Sequence, residues 1–183
     1  MEPNQNEPPK SDLSEAAVGV YDRILERVYR SVDAVETRSW PFVKAKIDEA
    51  VELEQAAREM TREELDLLGA YVRRDLSELG RIAHKTGDSI AALMKFDLQV
   101  LERRFVEMLD LLADPSLVTR TELQQRLDHG AEDYLAGEVA AMGALRCLSC
   151  GAVALLTETR VIEPCHQCGE RYFHRDRGEV DTL

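Results

Sequence analysis

The chain has 183 residues, 32% of them charged and 5% aromatic, and its 35 acids against 23 bases give a formal net charge of −12. So much charge with so few aromatics excludes a membrane protein, disfavours a β-sandwich and favours long helices with wet faces. The negative balance repels nucleic acid and anionic lipid, and no apolar run approaches the roughly 18 residues that a spanning helix needs.

Residues 1–11 hold three prolines and little apolar surface, which reads as a disordered tail with no secretory signal. An acidic helical domain is expected over 12–133. No proline falls between Pro41 and Pro115, and only four of the ten glycines lie in the first 129 residues, so helices can run long there. Asp12 is placed to cap a first helix, with Glu15 in its first turn. Val18, Tyr21, Leu25, Val28, Val32 and Val35 follow at heptad spacing towards Trp40. Pro41 suits the first position of a second helix ending near Arg58, with Val43, Ile47, Ala50, Leu53 or Glu54, and Ala57 on its apolar side.

Thr61-Arg62-Glu63-Glu64 is a capping-box pattern that restarts the helix. Leu65, Leu68, Val72, Leu76, Leu79, Ala83, Thr86 and Ile90 keep one face apolar, and Met94, Leu98, Leu101, Phe105, Met108 and Leu112 continue it. One long helix from 61 to about 112 is expected, with a hairpin at Gly87 as the rival reading and Asp114-Pro115 as its end. Thr119-Arg120-Thr121-Glu122 is a second capping box, for a short helix stopping at Gly130. A lone helix cannot bury such stripes, so they predict packing on each other, on a second copy or on a protein partner. The doublets Arg73-Arg74 and Arg103-Arg104 stand among acids and read as surface ion pairs. His84 and His129 read as ordinary surface or packing residues.

From 134 the period changes. Glycines punctuate stretches with β-branched residues, which predicts short strands joined by turns over 134–177 and a flexible tail over 178–183. All four cysteines lie here, as Cys147-Leu148-Ser149-Cys150-Gly151 and Cys165-His166-Gln167-Cys168-Gly169. A secreted disulfide scaffold spreads its cysteines along the chain, whereas two Cys-x-x-Cys pairs without an export signal point to a metal in a reducing compartment. A tight turn brings both sulfurs of a pair to one ion, and glycine after the second cysteine permits the positive φ of such a turn.

Cys147, Cys150, Cys165 and Cys168 are thus the expected ligands of one Zn²⁺ per chain. Iron in a rubredoxin-like site shares this spacing and stays open, while a thioredoxin-like redox pair would stand alone at a helix start. His166 reads as an exposed bystander. Four protein ligands leave no open coordination position, so the ion is structural and the chain is not expected to be an enzyme. Loss of a cysteine is expected to unfold the ribbon and leave the helices standing.

The one basic-aromatic stretch, Arg171-Tyr172-Phe173-His174-Arg175-Asp176-Arg177, offers an alternative role as a nucleic-acid or anion contact through Arg171, Arg175 and Arg177. Residues 134–183 nevertheless carry seven acids against five bases, which makes nucleic acid an improbable partner. A final ribbon strand, with Tyr172 or Phe173 beside the knuckles, is the simpler reading.

Tyr134-x-x-Gly137-Glu138-Val139-x-x-x-Gly143-x-Leu145-x-Cys147-x-x-Cys150-Gly151, then Cys165-x-x-Cys168-Gly169, resembles a bacterial zinc ribbon-containing family of unknown function, the YbeL-like proteins. Thr61-Arg62-Glu63-Glu64-Leu65 through Arg74-Asp75-Leu76 is similar to that family's helical region, and the likeness covers about residues 55–175. The resemblance implies the same four zinc ligands and a bacterial cytoplasmic protein, and supplies no activity or substrate. The expected fold class is therefore α+β: long antiparallel helices in a coiled-coil-like bundle, carrying a small C-terminal four-cysteine ribbon of short antiparallel strands. The expected function is a non-enzymatic interaction or scaffold protein.

Overall fold

Chain order in the computed structural model runs from helices to strands, over described residues 13–34, 39–86, 127 and 129–176. The helices are α1 (Ala17–Asp33), α2 (Trp40–Ala57) and α3 (Arg62–Thr86). The strands are β1 (Asp133–Leu135), β2 (Val139–Ala140), β3 (Gly143–Cys147), β4 (Val153–Leu156), β5 (Arg160–Val161) and β6 (Tyr172–Arg175). Among the described residues the fold is α+β: three packed helices followed by a small antiparallel-strand region that bears the cysteines.

Local signals account for the starts of α2 and α3. Ser39 is extended and Pro41 stands in the first turn of α2, where its missing N–H costs nothing. The α3 capping box closes reciprocally: Thr61 N–H donates to Glu64 Oε2 at 2.8 Å, and Glu64 N–H donates to Thr61 Oγ1 at 3.2 Å. Hydrogen bonds donated to the carboxylate, the Thr61 amide foremost, hold the Glu64 carboxyl below its ordinary pKa against the effect of burial. The other Glu64 oxygen accepts from Ser14 N–H at 2.8 Å, so one carboxylate fastens the start of α3 to the chain before α1.

That tether accompanies the first departure from the sequence pattern. The helix begins at Ala17, after the Ser14 anchor, rather than near Asp12, and Ala16 makes no side-chain cap bond. Its buried face is also rotated: Val20, Tyr21, Ile24, Val28, Tyr29 and Val32 are buried, while Val18 and Leu25 are only partly covered. A heptad count tracks one seam, whereas a helix packed against two neighbours buries a wider arc. In α2, Val43, Ile47 and Ala50 are buried as patterned, and Glu54 takes the next inward place while Leu53 is 51% exposed. Glu54 is tolerated there because Arg23 Nε and Arg27 Nη2 of α1 donate to it at 2.9 and 3.1 Å.

Among the described elements, helix α3 packs against both other helices and the strand half. Residues 68–78 are buried without interruption, including Arg73, Arg74, Asp75, Ser77 and Glu78. The doublet Arg73-Arg74 is therefore not a surface feature: Arg73 pairs with Asp48 of α2, and Arg74 lies under the strand region. Together α1, α2 and α3 form one core, joined by Leu127, Ala131, Val139 and Ala141 from the second half. Over the described helices the apolar stripes are thus largely consumed within one chain. The expected helix beyond Thr86, its turn at Gly87, the His84 side chain, Arg103-Arg104 and the Thr119 capping box lie outside the described residues.

A buried ionic network joins the helices to the strands. Arg74 Nη1 donates to Glu138 Oε2 at 2.5 Å and to the Asp133 carbonyl at 3.0 Å, with its guanidinium 3.7 Å from the Tyr134 ring centroid. Burial favours neutral Arg74, but Glu138, Tyr134 and Asp75 outweigh it and raise its pKa. Asp75 Oδ2 accepts from Tyr21 O–H at 2.6 Å and from Ala141 N–H at 2.7 Å. Arg175 of β6 completes the network, with Nη2 3.4 Å from Asp75 Oδ1 and Nη1 donating to the Met142 carbonyl at 2.8 Å. Gly143 makes room for it: its φ is +135°, and a Cβ there would lie 2.4 Å from Arg175 Nη1.

Asp75→Asn removes the charge that faces Arg175 and Arg74, and a broken buried pair costs about 3–5 kcal/mol. Thr61→Ala at the α3 cap should cost only about 1 kcal/mol. Urea denaturation of the two variants beside the unmodified chain checks that order.

Candidate metal centre

The cysteine pairs sit on two knuckles that the sheet brings together. Strand order in the larger sheet is β1-β6-β3-β4, and β2 pairs with β5 separately. The first knuckle is the turn of the β3–β4 hairpin, and the second lies between β5 and β6. Because β6 lies beside β3, with Cys147 opposite Phe173, the second knuckle folds back against the first. Leu148 N–H donates to the Tyr172 carbonyl at 3.0 Å and fixes that approach.

Both knuckles are built alike. Gly151 N–H donates to the Cys147 carbonyl at 3.0 Å, and Gly169 N–H donates to the Cys165 carbonyl at 2.8 Å. Each first cysteine then donates its own N–H across the loop, Cys147 to Ala152 and Cys165 to Glu170, both at 2.8 Å. The two glycines have φ of 73° and 75°, the left-handed conformation that the turn requires of the residue after each second cysteine.

The four sulfurs lie within 4.8 Å of one another. Across the knuckles, Cys147 Sγ to Cys168 Sγ and Cys150 Sγ to Cys165 Sγ are each 3.6 Å, and all four cysteines are free. Sulfurs in a disulfide are about 2.05 Å apart, so these pairs are unbridged. A tetrahedron with metal–sulfur bonds of about 2.3 Å has edges of about 3.8 Å, close to the two 3.6 Å separations across the knuckles. The donor set and its spacing therefore fit a single tetrathiolate metal ion. Cys147 and Cys165 face the ribbon core with Tyr134, Leu145, Ile162 and Phe173, while Cys150 and Cys168 face solvent.

Electrostatics point the same way. Backbone amides of Cys168 and Gln167 aim at the Cys165 sulfur and lower its thiol to about 6. For Cys168 the Glu170 amide favours the thiolate, but the neighbouring sulfurs, Cys150 first, push it up to about 12. Four crowded sulfurs cannot all become anions unaided, and a divalent cation removes that conflict by displacing the protons.

This geometry meets a matching sequence record. The model of a family described as a zinc-ribbon containing domain matches residues 30–177. The chain belongs to that family. Among its relatives are proteins named "Uncharacterized protein YbeL" from Escherichia coli K12, O6:H1 and O157:H7. Each is 29% identical over 135 residues, covering 73% of this chain and 81% of the relative. No solved structure matches the chain.

The basic-aromatic stretch resolves differently from its appearance in sequence. Phe173 is buried beside Cys147 and Cys165, and Tyr172 is 42% exposed. Arg175 is a corrected candidate: it is 2% exposed and engaged with Tyr134, Ala141, Met142 and Asp75, because alternation along β6 turns it inward with Phe173. It cannot reach a nucleic acid. Arg171 is exposed, with Nη2 donating to the Ala136 carbonyl at 3.4 Å, and Arg177 lies outside the described residues. His166 is exposed, while His129 is not an ordinary surface or packing residue but contacts Glu138 through Nε2.

Sequence reading missed the roles of Arg74, Asp75, Tyr134, Glu138 and Gly143. For Arg74 and Asp75 the signal was present as charge on consecutive positions inside an apolar helical run, whereas Tyr134, Glu138 and Gly143 stood in the ribbon motif with no role attached. Substituting Gly151 or Gly169 by Ala should weaken metal binding, because holding Ala in the left-handed conformation costs about 1–2 kcal/mol. Competition with a chromogenic chelator should register roughly a 5- to 30-fold loss of affinity for each variant.

Proposed function

We propose that this protein is a non-enzymatic interaction or scaffold protein whose ribbon is held by one structural Zn²⁺ on Cys147, Cys150, Cys165 and Cys168. One observation carries the reading: four protein sulfurs surround a single point, with 4.8 Å as their widest separation. An ion there has a full protein coordination shell, so its role is to fold the ribbon rather than to activate water. Zinc contributes on the order of 10–16 kcal/mol in small zinc modules, well beyond what a core as small as this ribbon's supplies.

The surface supports a binding role. Leu148, Val153, Leu155 and Tyr172 are large apolar side chains exposed on the ribbon, and Leu53 is exposed on α2. Partner contact therefore belongs on the ribbon rather than on the described faces of α1–α3, whose stripes are spent in the core. Among the described residues no helix is long and apolar enough to cross a membrane. Arg175 is withdrawn into the interior, which weakens the case for nucleic acid.

Elemental analysis of the purified chain should find one zinc per chain and no colour from iron; a protein without stoichiometric metal would overturn the reading. The expectation that the helices stand when the ribbon unfolds is revised: chelation should also destabilise the helices, because Val139 and Ala141 of the strand half lie in the helical core. The expected outcome in circular dichroism at 222 nm is one transition that shifts down on zinc removal. Helices that melt unchanged after the ribbon has lost its metal would show instead that the two parts are independent.

A further inference from the structure

His129 stands just before β1, between Leu127 and Ala131, both buried in the helical core. Its Nε2 is 2.5 Å from Glu138 Oε1, and its Nδ1 is 3.1 Å from the Gly130 carbonyl. A carbonyl only accepts. The Glu138 carboxylate also only accepts, since its other oxygen already takes hydrogen bonds from Arg74 Nη1 at 2.5 Å and Leu135 N–H at 3.2 Å. A neutral imidazole has a single N–H and cannot serve both contacts, whereas the imidazolium donates to each.

We infer that His129 is a half-buried imidazolium that latches the segment preceding β1 onto Glu138, and that rising pH releases this latch. The described groups that face it are Glu138 from the β1–β2 turn, Arg74 from α3, Tyr172 from β6 and the Gly130 carbonyl of its own segment. Burial and Arg74 oppose the charge, but the hydrogen bond and charge of Glu138 outweigh them and lift the His129 pKa above 6.5. Glu138 is pulled the other way: burial opposes its charge, yet Arg74 and His129 hold it below the ordinary carboxylate value, so it stays ionised near neutrality.

The sign of the effect follows. A histidine raised by folding contributes in full below its unfolded value of about 6.5, and the contribution is lost as pH rises through the folded value. Release also frees the ring edge that His129 sets against Tyr172, 6.5 Å between centroids, beside the exposed face of the ribbon. The latch thus makes the docking of ribbon on helices, and the surroundings of one exposed aromatic, depend on pH.

The test is a nitrogen-15 NMR titration of the histidines in the full chain saturated with zinc, from pH 6 to 9. His129 should show both ring nitrogens protonated at pH 6.5 and a midpoint above 6.5. Urea stability of the unmodified chain relative to His129→Gln should fall across that same midpoint. A neutral single tautomer at pH 6.5, or a midpoint at or below that value, would overturn the inference. The spectrum of the unmodified chain decides this even where the variant fails to fold.

Discussion

The structure depends on a row of charges that never meets water. Arg74 and Asp75, adjacent on α3, each reach the strand half of the chain, one through Glu138 and the Asp133 carbonyl, the other through Ala141 N–H and Arg175. Asp75 also accepts from Tyr21 of α1. Ions are costly to bury, and an apolar interface of the same volume is often as stable. What the ions add is direction: each has one set of partners, so the ribbon has one orientation on the helices.

That orientation extends to the metal knuckles through two strands. Strand β3 begins at Gly143, beneath Arg175, and ends at Cys147, while β6 begins beside the knuckles at Tyr172 and ends at Arg175. Pairing of Cys147 with Phe173 and of Leu145 with Arg175 makes these strands one unit. The cysteine end and the ionic end of the ribbon therefore constrain each other across a few residues of sheet. On the proposed reading, a ribbon without a cation would lose the frame that presents Arg175 to Asp75, and a helix without Asp75 would loosen the frame that holds the knuckles.

Different parts of the molecule were legible to different degrees. The capping box at Thr61, the proline at the start of α2 and the two knuckle glycines each act within a few residues, and each appears where the pattern places it. Stripe positions were right in kind and shifted in phase, as Val20 and Ile24 replace Val18 and Leu25, because the number of neighbours sets the width of the buried arc. Arg73-Arg74 and Arg175 were misplaced to the surface because charge is normally solvated and nothing local announces an internal partner.

The sequence by itself determined the two halves, the helical character of the first and the four sulfurs of the second, since periodicity, capping and Cys-x-x-Cys spacing are short-range properties. Only the tertiary structure decided where the charges go. Arg74-Asp75 on α3, His129 and Glu138 on either side of β1, and Arg175 on β6 come from three stretches far apart along the chain, and a charge's preference for water or interior turns on which opposite charge folding sets beside it.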